Sequence, residues 1–442
     1  MTDDDLAARE ARVDAGGGAA RQARQVRLGR LTARQRVEAL IDEGSFVELG
    51  RYVEHRHGHT DEQLGAHVHP GDGLIAGLGT AAGRPIAVYA HDPTVLRGAL
   101  GHAASRKLCR LLDLAAARAL PVVALTDCDG VRPGEGTDAI LAYGEVIART
   151  IALQGKVPQI TLVCGLCVGA AAYTAALTDA VAMVAGQSFM FITGPKVTEV
   201  VTGERVTIEA LGGPDLHARL TGACHAVLPD EAAGVAWVRA LLDHLVPHTA
   251  SDDPADRPTP KLARIVPESA RRAYDVRKVL TQLFDLGSVF ELTADYGRSL
   301  LTAFARLDGR AVAVVANQPL VLAGCLDVEA SRKGAAFVRW ASALGLPVIT
   351  LVDVPGYLPG RAQEAGGILP FGAELLVAYG RCATPRLAFI LRKSYGGASV
   401  LSFAADLRLA LPTAEIAPMG GDAACAVALG PARADDPDDA AA

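Results

Sequence analysis

The sequence predicts an α/β protein assembled from two copies of one domain. Three observations carry that prediction. Residues 82–92, AGRPIAVYAHD, return as DGRAVAVVANQ at 308–318, an offset of 226. LPVVALTDCDG at 120–130 returns as LPVITLVDVPG at 346–356, and PQITLVCGLCVGAAA at 158–172 faces PRLAFILRKSYGGAS at 385–399, now offset by 227. Within each copy, short β-branched runs alternate with Ala- and Leu-rich runs of helical period, the pattern of repeated strand–helix units. So long a period is not that of a solenoid, whose repeats run roughly 20–50 residues.

The elements follow in order. LIDEGSFVELG at 40–50 pairs with LFDLGSVFELT at 283–293 at offset 243, so the first copy holds about seventeen extra residues around HRHGHTDEQLGAHVHPGDG. IAVYA reads as a strand, and SRKLCRLLDLAAARA at 105–119 as a helix with apolar residues at i, i+3 and i+4. VVALTD and ITLVC read as further strands. The expected domains are 1–248 and 264–428, each long enough to bury its own core. Residues 249–263, polar and proline-rich, read as the linker. The acidic segment 429–442 reads as disordered.

Composition excludes several classes. Half the residues are apolar and the formal net charge is −6, with no basic stripe interleaved with aromatics, so nucleic acid is not an expected partner. The Arg-rich run RQARQVRLGRLTARQR at 21–36 has helical spacing and reads as a solvated helix face. The start, MTDDDL, is acidic where a secretory signal is basic. The most apolar stretch, ITLVCGLCVGAAAYTAAL at 160–177, is broken by glycines and matches a repeat carrying Arg392 and Lys393, so a buried strand–turn–helix is expected rather than a membrane span. Eight cysteines lie scattered on apolar segments. Cys164 and Cys167 form a CxxC without a second pair at metal spacing and read as core thiols of a reduced, cytoplasmic chain. His55, His57 and His59 fall in the first copy's extra loop and read as surface residues rather than metal ligands.

The candidate chemistry lies where the third strand of each copy ends in small residues and opens a helix: VCGLCVGAAAYTAAL in the first, LRKSYGGASVLSFAADL in the second. A helix start offers unpaired N–H groups and a partial positive charge. Small residues there let a carbonyl approach, and two such N–H groups can hold an enolate or tetrahedral oxyanion. Tight strand–helix packing asks for the same residues, so both readings stay open at each turn. Their repetition at matched places suggests two oxyanion holes for a reaction with two carbonyls. Lys107 and Lys333, on matched helices, are read as meeting the phosphates of a ligand or as solvated. Asp127 and Asp353, ending matched strands, are read as structural caps.

Several long motifs carry a resemblance. They are LTARQRVEALIDEGSFVELG, FITGPKVTEVVTGERVTIEALGGPDLHA at 191–218, VVANQPLVLAGCLDVEASRKGAAFVR, LVDVPGYLPGRAQEAGGI, RKSYGGA and PTAEIAPMGG. With them the chain resembles the carboxyltransferase (β) subunits of biotin-dependent acyl-CoA carboxylases over residues 16 to 421 or so. The resemblance implies tandem crotonase-like (ClpP/crotonase) domains of ββα superhelical units. It implies a homo-oligomer, a head-to-tail dimer or a trimer of dimers. Acyl-CoA would lie on the first domain and carboxybiotin, from a separate carrier chain with its biotin carboxylase, on the second. Gly169 and Ala170 would hold the thioester enolate, and Gly397 and Ala398 the biotin ureido oxygen. Lys107, Gly130, Arg132, Gly396 and Val400 are the remaining residues it implies at the coenzyme A and biotin sites. Biotin itself would take the α-proton, so no side-chain base is implied and no metal is expected in this chain. No Met-Lys biotin acceptor is present: Met183, Met190 and Met419 precede Val, Phe and Gly.

The chain departs from the family in five places. GLCVGAA stands where the family usually reads GPCAGGA, and CDGVRPGEG at 128–136 where it reads SGGARIQEG, placing Asp129 beside the implied coenzyme A path. Arg97-Gly98 replaces a Gly-Gly, and His102 a Glu. Pro370-Phe371 and Glu374 replace basic residues, and the chain is expected to be shortened after PMGG. The resemblance implies carboxyl transfer from carboxybiotin to a short-chain acyl-CoA. The departures keep two alternatives open: a biotin-independent acyl-CoA decarboxylase, and a non-catalytic assembly subunit. Val400 lies where the family sorts acyl chain length.

Overall fold

The computed structural model describes residues 3–55, 69–254, 256–269 and 271–429. His57, His59 and the acidic segment from 430 lie outside them. Contacts divide the chain into two units, Met1–Asp243 and His244–Ala442. No helix among the described residues is long and apolar enough to cross a membrane.

The first unit holds strands β1 (Val47–Glu48), β2 (Leu74–Ala81), β3 (Arg84–His91), β4 (Val122–Cys128), β5 (Gln159–Val168), β6 (Ala180–Val184), β7 (Phe189–Phe191) and β8 (Ala226–Leu228). Their order is β1-β2-β3-β4-β5-β6-β8, with β7 also pairing β5. The second unit repeats it with β9 (Phe290–Leu292), β10 (Leu300–Leu307), β11 (Arg310–Asn317), β12 (Val348–Val354), β13 (Arg386–Tyr395), β14 (Leu407–Ala410) and β15 (Glu415–Ala417). Its order is β9-β10-β11-β12-β13-β14, with β15 on β13. β2–β3 and β10–β11 are antiparallel hairpins, and the following strands run parallel. β4 and β12 are buried throughout, as parallel strands covered on both faces are.

The repeat extends to single hydrogen bonds. Each hairpin turns on two residues of positive φ, Ala82-Gly83 and Asp308-Gly309, the backbone that a two-residue hairpin requires. Asp42 accepts from Ala82 N and Gly83 N, and Asp285 accepts from Asp308 N and Gly309 N. The expected linker residues are tied into the second unit: Thr249 N donates to Gly309 O, and Ser251 Oγ to Asp285.

Two expectations are corrected. The run 21–36 is not one solvated helix. It forms helices Ala19–Arg27 and Ala33–Leu40, the second capped by a Thr32–Gln35 capping box. Arg36 on it is fully buried, because two buried carboxylates claim it: Glu231 at 2.8 Å and Asp127 at 3.3 Å. Asp127 and Asp353, in turn, cap no helix. They are structural, but each accepts from a backbone N–H of the neighbouring strand, Leu166 N at 3.1 Å and Lys393 N at 3.3 Å.

Candidate functional site

The two glycine turns grow out of matched irregularities. The β4–β5 register passes from Thr126↔Val163 to Cys128↔Cys167, and the β12–β13 register from Val352↔Ile390 to Val354↔Ser394. Two extra residues on β5 and on β13 therefore bulge out. They bend the strand just before the turn, as bulges next to functional sites do.

After the bulge, Gly169 has φ +59 and Gly396 φ +58, both in the left-handed region that favours glycine. A helix opens at once: Ala170–Ala176 in the first unit, and a 3-10 turn Gly396–Ser399 leading into Val400–Phe403 in the second. This register aligns Gly169 with Gly396, Ala170 with Gly397 and Ala171 with Ala398. The donor pairs read from sequence, Gly169/Ala170 and Gly397/Ala398, are thus one residue out of step. The structure gives the reason: Gly169 N already donates to Phe191 O on β7 at 3.0 Å. Among the described residues, the N–H groups of Ala170, Ala171, Gly397 and Ala398 have no hydrogen-bond partner. Gly169 and Ala170 are half-buried, and Gly397 is exposed.

The surroundings of the turns also correspond. Gly130 follows β4 with φ +89, and a Cβ there would stand 2.8 Å from Val168 O and 3.9 Å from Ala170 N, so the loop lies against the first turn. Leu100 N donates to Gly130 O, as Leu326 N does to Gly356 O in the second unit. The next residue, Tyr357, packs its ring 3.8 Å from the place of a Gly397 Cβ. Val400 begins the second helix and is half-buried. Beside it Tyr395 donates its hydroxyl to Glu415, and burial together with that carboxylate pushes the phenol up to about 12.

Lys107 and Arg132 are not surface cations. Lys107 Nζ donates to Leu74 O at 2.5 Å, and Lys333 Nζ to Thr293 O and Tyr296 O at 2.7 and 2.9 Å. Burial lowers Lys107 to about 8 and Lys333 to about 7. Arg132 is 3% exposed, ion-paired to Asp72 and Glu135 at 2.7 Å each, and donates to Ala99 O. Burial raises the Asp72 carboxyl, and the Arg132 charge works against it. Glu135 and Asp72 accept from His102 N and Ala104 N, so the cluster fixes the start of helix His102–Arg118. The sequence points to Lys107 and Arg132 as coenzyme A contacts. The structure occupies both with backbone and carboxylates inside the unit. Arg36 gave no local signal, yet it braces the β4 carboxylate beneath the first turn.

Comparison with known proteins joins these features to a family. The profile described as "Carboxyl transferase domain" matches residues 24–439, so the match runs past the expected end at about 421. The propionyl-CoA carboxylase beta chain of Roseobacter denitrificans is 43% identical over 94% of this chain and 83% of its own length, so the expected shortening is slight. Methylmalonyl-CoA decarboxylase subunit alpha of Propionigenium modestum is 40% identical over 94% of this chain and 82% of its own length. Among solved structures, the transcarboxylase 12S hexamer core with methylmalonyl-coenzyme A and methylmalonic acid bound matches with a TM-score of 0.92 at 39% identity. That match covers 96% of this chain and 83% of the other. A profile match over nearly the whole length, with two crotonase-like units whose glycine turns agree in register and φ, places this chain in the carboxyl transferase domain family.

Proposed function

We propose that the chain transfers a carboxyl group from carboxybiotin, held on a separate carrier subunit, to the α-carbon of a short-chain acyl-CoA. The product is a malonyl- or methylmalonyl-type CoA. The observation that carries this reading is the pair of bulge-and-glycine turns, each with two N–H groups lacking partners at a helix start.

At the first turn, Ala170 N and Ala171 N are the donors for the thioester oxygen as it gains charge. The backbone is already in place, so no reorganisation is needed when that charge develops. Gly130 lets its loop close on this turn, since a Cβ there would stand 2.8 Å from Val168 O.

The second turn fits a flat ureido ring. Gly397 is exposed, the Tyr357 ring stands 3.8 Å from the place of its Cβ, and the N–H groups of Gly397 and Ala398 are the donors. Bound there, carboxybiotin supplies the activated carboxyl group. Position 396 suits glycine twice over: its φ is +58, and a Cβ there would stand 3.1 Å from Pro418 O. Val400 borders the second turn and is assigned to acyl-length selection. A homo-oligomer, a partner biotin carboxylase with its carrier, and a cytoplasmic location belong to the same reading.

One observation favours a second reading, decarboxylation of an α-carboxylated acyl-CoA: the likeness to methylmalonyl-CoA decarboxylase subunit alpha is nearly as high as that to the carboxylase chains. Loss of carboxylate from malonyl- and methylmalonyl-CoA by the full chain, with and without a biotinylated carrier, separates the two. The expected result is loss only with biotin. Loss without biotin selects the decarboxylase, and no loss in either condition by folded protein selects an assembly role.

A further inference from the structure

The loops that leave β3 and β4 meet beside each other, the second of them against the first turn, and an ion pair ties them together. Arg97 Nε lies 2.8 Å from Asp129 Oδ2, and Arg97 Nη2 lies 3.2 Å from Asp129 Oδ1. The two backbones are also joined, Asp129 N donating to Arg97 O at 3.2 Å. Arg97 holds φ +58, a backbone that costs a residue with a Cβ roughly 1 kcal/mol or more.

The second unit shows what the fold itself requires. At the same offset it has Ala323, φ +53, and Pro355. The strained turn is therefore common to both units, and the charge pair is not. The pair is exposed, 69% for the Arg97 side chain and 31% for Asp129, and exposed pairs contribute little stability. Folding explains neither residue.

Position suggests an explanation. Asp129 directly precedes Gly130, which lies against Ala170 N. On the function proposed above, an anionic CoA thioester enters there, and a lone carboxylate would repel it. We propose that Arg97 and Asp129 form a specificity-determining clasp on the acyl-thioester side. Arg97 neutralises Asp129 and holds the two loops at the width of the path. An acyl group that already bears an α-carboxylate feels the balance of this pair more than an uncharged acyl group does. The ligand class is thus the short acyl-CoA and its α-carboxylated counterpart, discriminated by charge at the rim.

The test uses the full chain with its carrier and four variants: Arg97→Ala, Asp129→Ala, the double variant, and the exchange Arg97→Asp with Asp129→Arg. KM and kcat are measured for propionyl-CoA and methylmalonyl-CoA, and binding of both by calorimetry. Arg97→Ala exposes the carboxylate and should raise KM for methylmalonyl-CoA by about threefold more than for propionyl-CoA, the size expected of one like charge near a surface. Asp129→Ala should leave it unchanged or lower it. The double variant and the exchange should return towards the parent, and the difference should fade at about 0.5 M salt. Equal shifts in the same direction for both single variants, or no shift in an active parent, overturn the clasp and leave a surface bridge. If the parent binds thioester without turnover, the proposed function fails while calorimetry still judges the clasp. If it binds none, both fail.

Discussion

Both units place a buried carboxylate under a bulged strand, yet they neutralise it differently. In the second unit Arg392, on the bulge itself, pairs with Asp353 at 3.0 Å. At the matched position the first unit has Gly165, where a Cβ would stand 2.3 Å from the Asp127 carboxylate. The first unit's cation comes instead from Arg36, 91 residues earlier, which Glu231 also holds. The requirement the two units share is a carboxylate that accepts from a bulge N–H and is neutralised by a buried arginine. Which segment supplies the cation is free to change. In the first unit the device ties helix Ala33–Leu40 and helix Glu231–His244 to the strand below the turn. In the second it ties the strand to a segment 120 and 123 residues earlier, Arg392 also donating to Arg272 O and Ser269 O.

The largest effect should come from cutting this device where it joins most. Arg36→Met leaves Asp127 and Glu231 buried without a cation and should cost about 3–5 kcal/mol. Arg392→Met leaves Asp353 with the Lys393 ammonium still 3.8 Å away, so its loss should sit at the low end, about 3 kcal/mol. Denaturant unfolding of both variants checks the order. A larger loss for Arg392→Met would mean that Lys393 cannot stand in and that the two devices are not equivalent. Gly165→Ala should cost less, about 2 kcal/mol, because the added methyl meets a carboxylate that Arg36 prevents from retreating. If it is neutral by the same measurement, the carboxylate can shift and is not the brace described.

Much of this was legible from sequence. The offset of 226–227 revealed the duplication, and alternation placed β3, β4, β5 and their partners. The glycine turns were visible because small residues cluster where a strand gives way to a helix. Arg36 was not legible, since its partners are 91 and 195 residues away and its local spacing matches a solvated face. One signal did exist: a copy with Gly165 opposite Arg392 must find its cation elsewhere. The donor register was missed for a similar reason. That Gly169 N is taken depends on β7 folding back onto β5, which no local pattern encodes. Lys107 and Lys333 looked like surface lysines because helical spacing shows a face but not what covers it.

Those two lysines give the smallest and most specific comparison. Both ammonium groups are buried against carbonyls, and burial lowers Lys107 to about 8 and Lys333 to about 7. In the unfolded chain each keeps an ordinary lysine pKa near 10.4, so between those values the unfolded state binds more protons. Stability contributed at these sites must therefore rise with pH across that window. Measured against Lys→Met variants to cancel other groups, the parent should gain about 2 kcal/mol at Lys333 from pH 7 to 9, and about 1 kcal/mol at Lys107. The larger gain at Lys333 follows from its lower pKa, which leaves it deprotonated over more of the interval. A gain with falling pH at either site would mean that the charged form is favoured inside. Thr293 O and Tyr296 O, or Leu74 O, would then hold an ammonium ion rather than tolerate an amine.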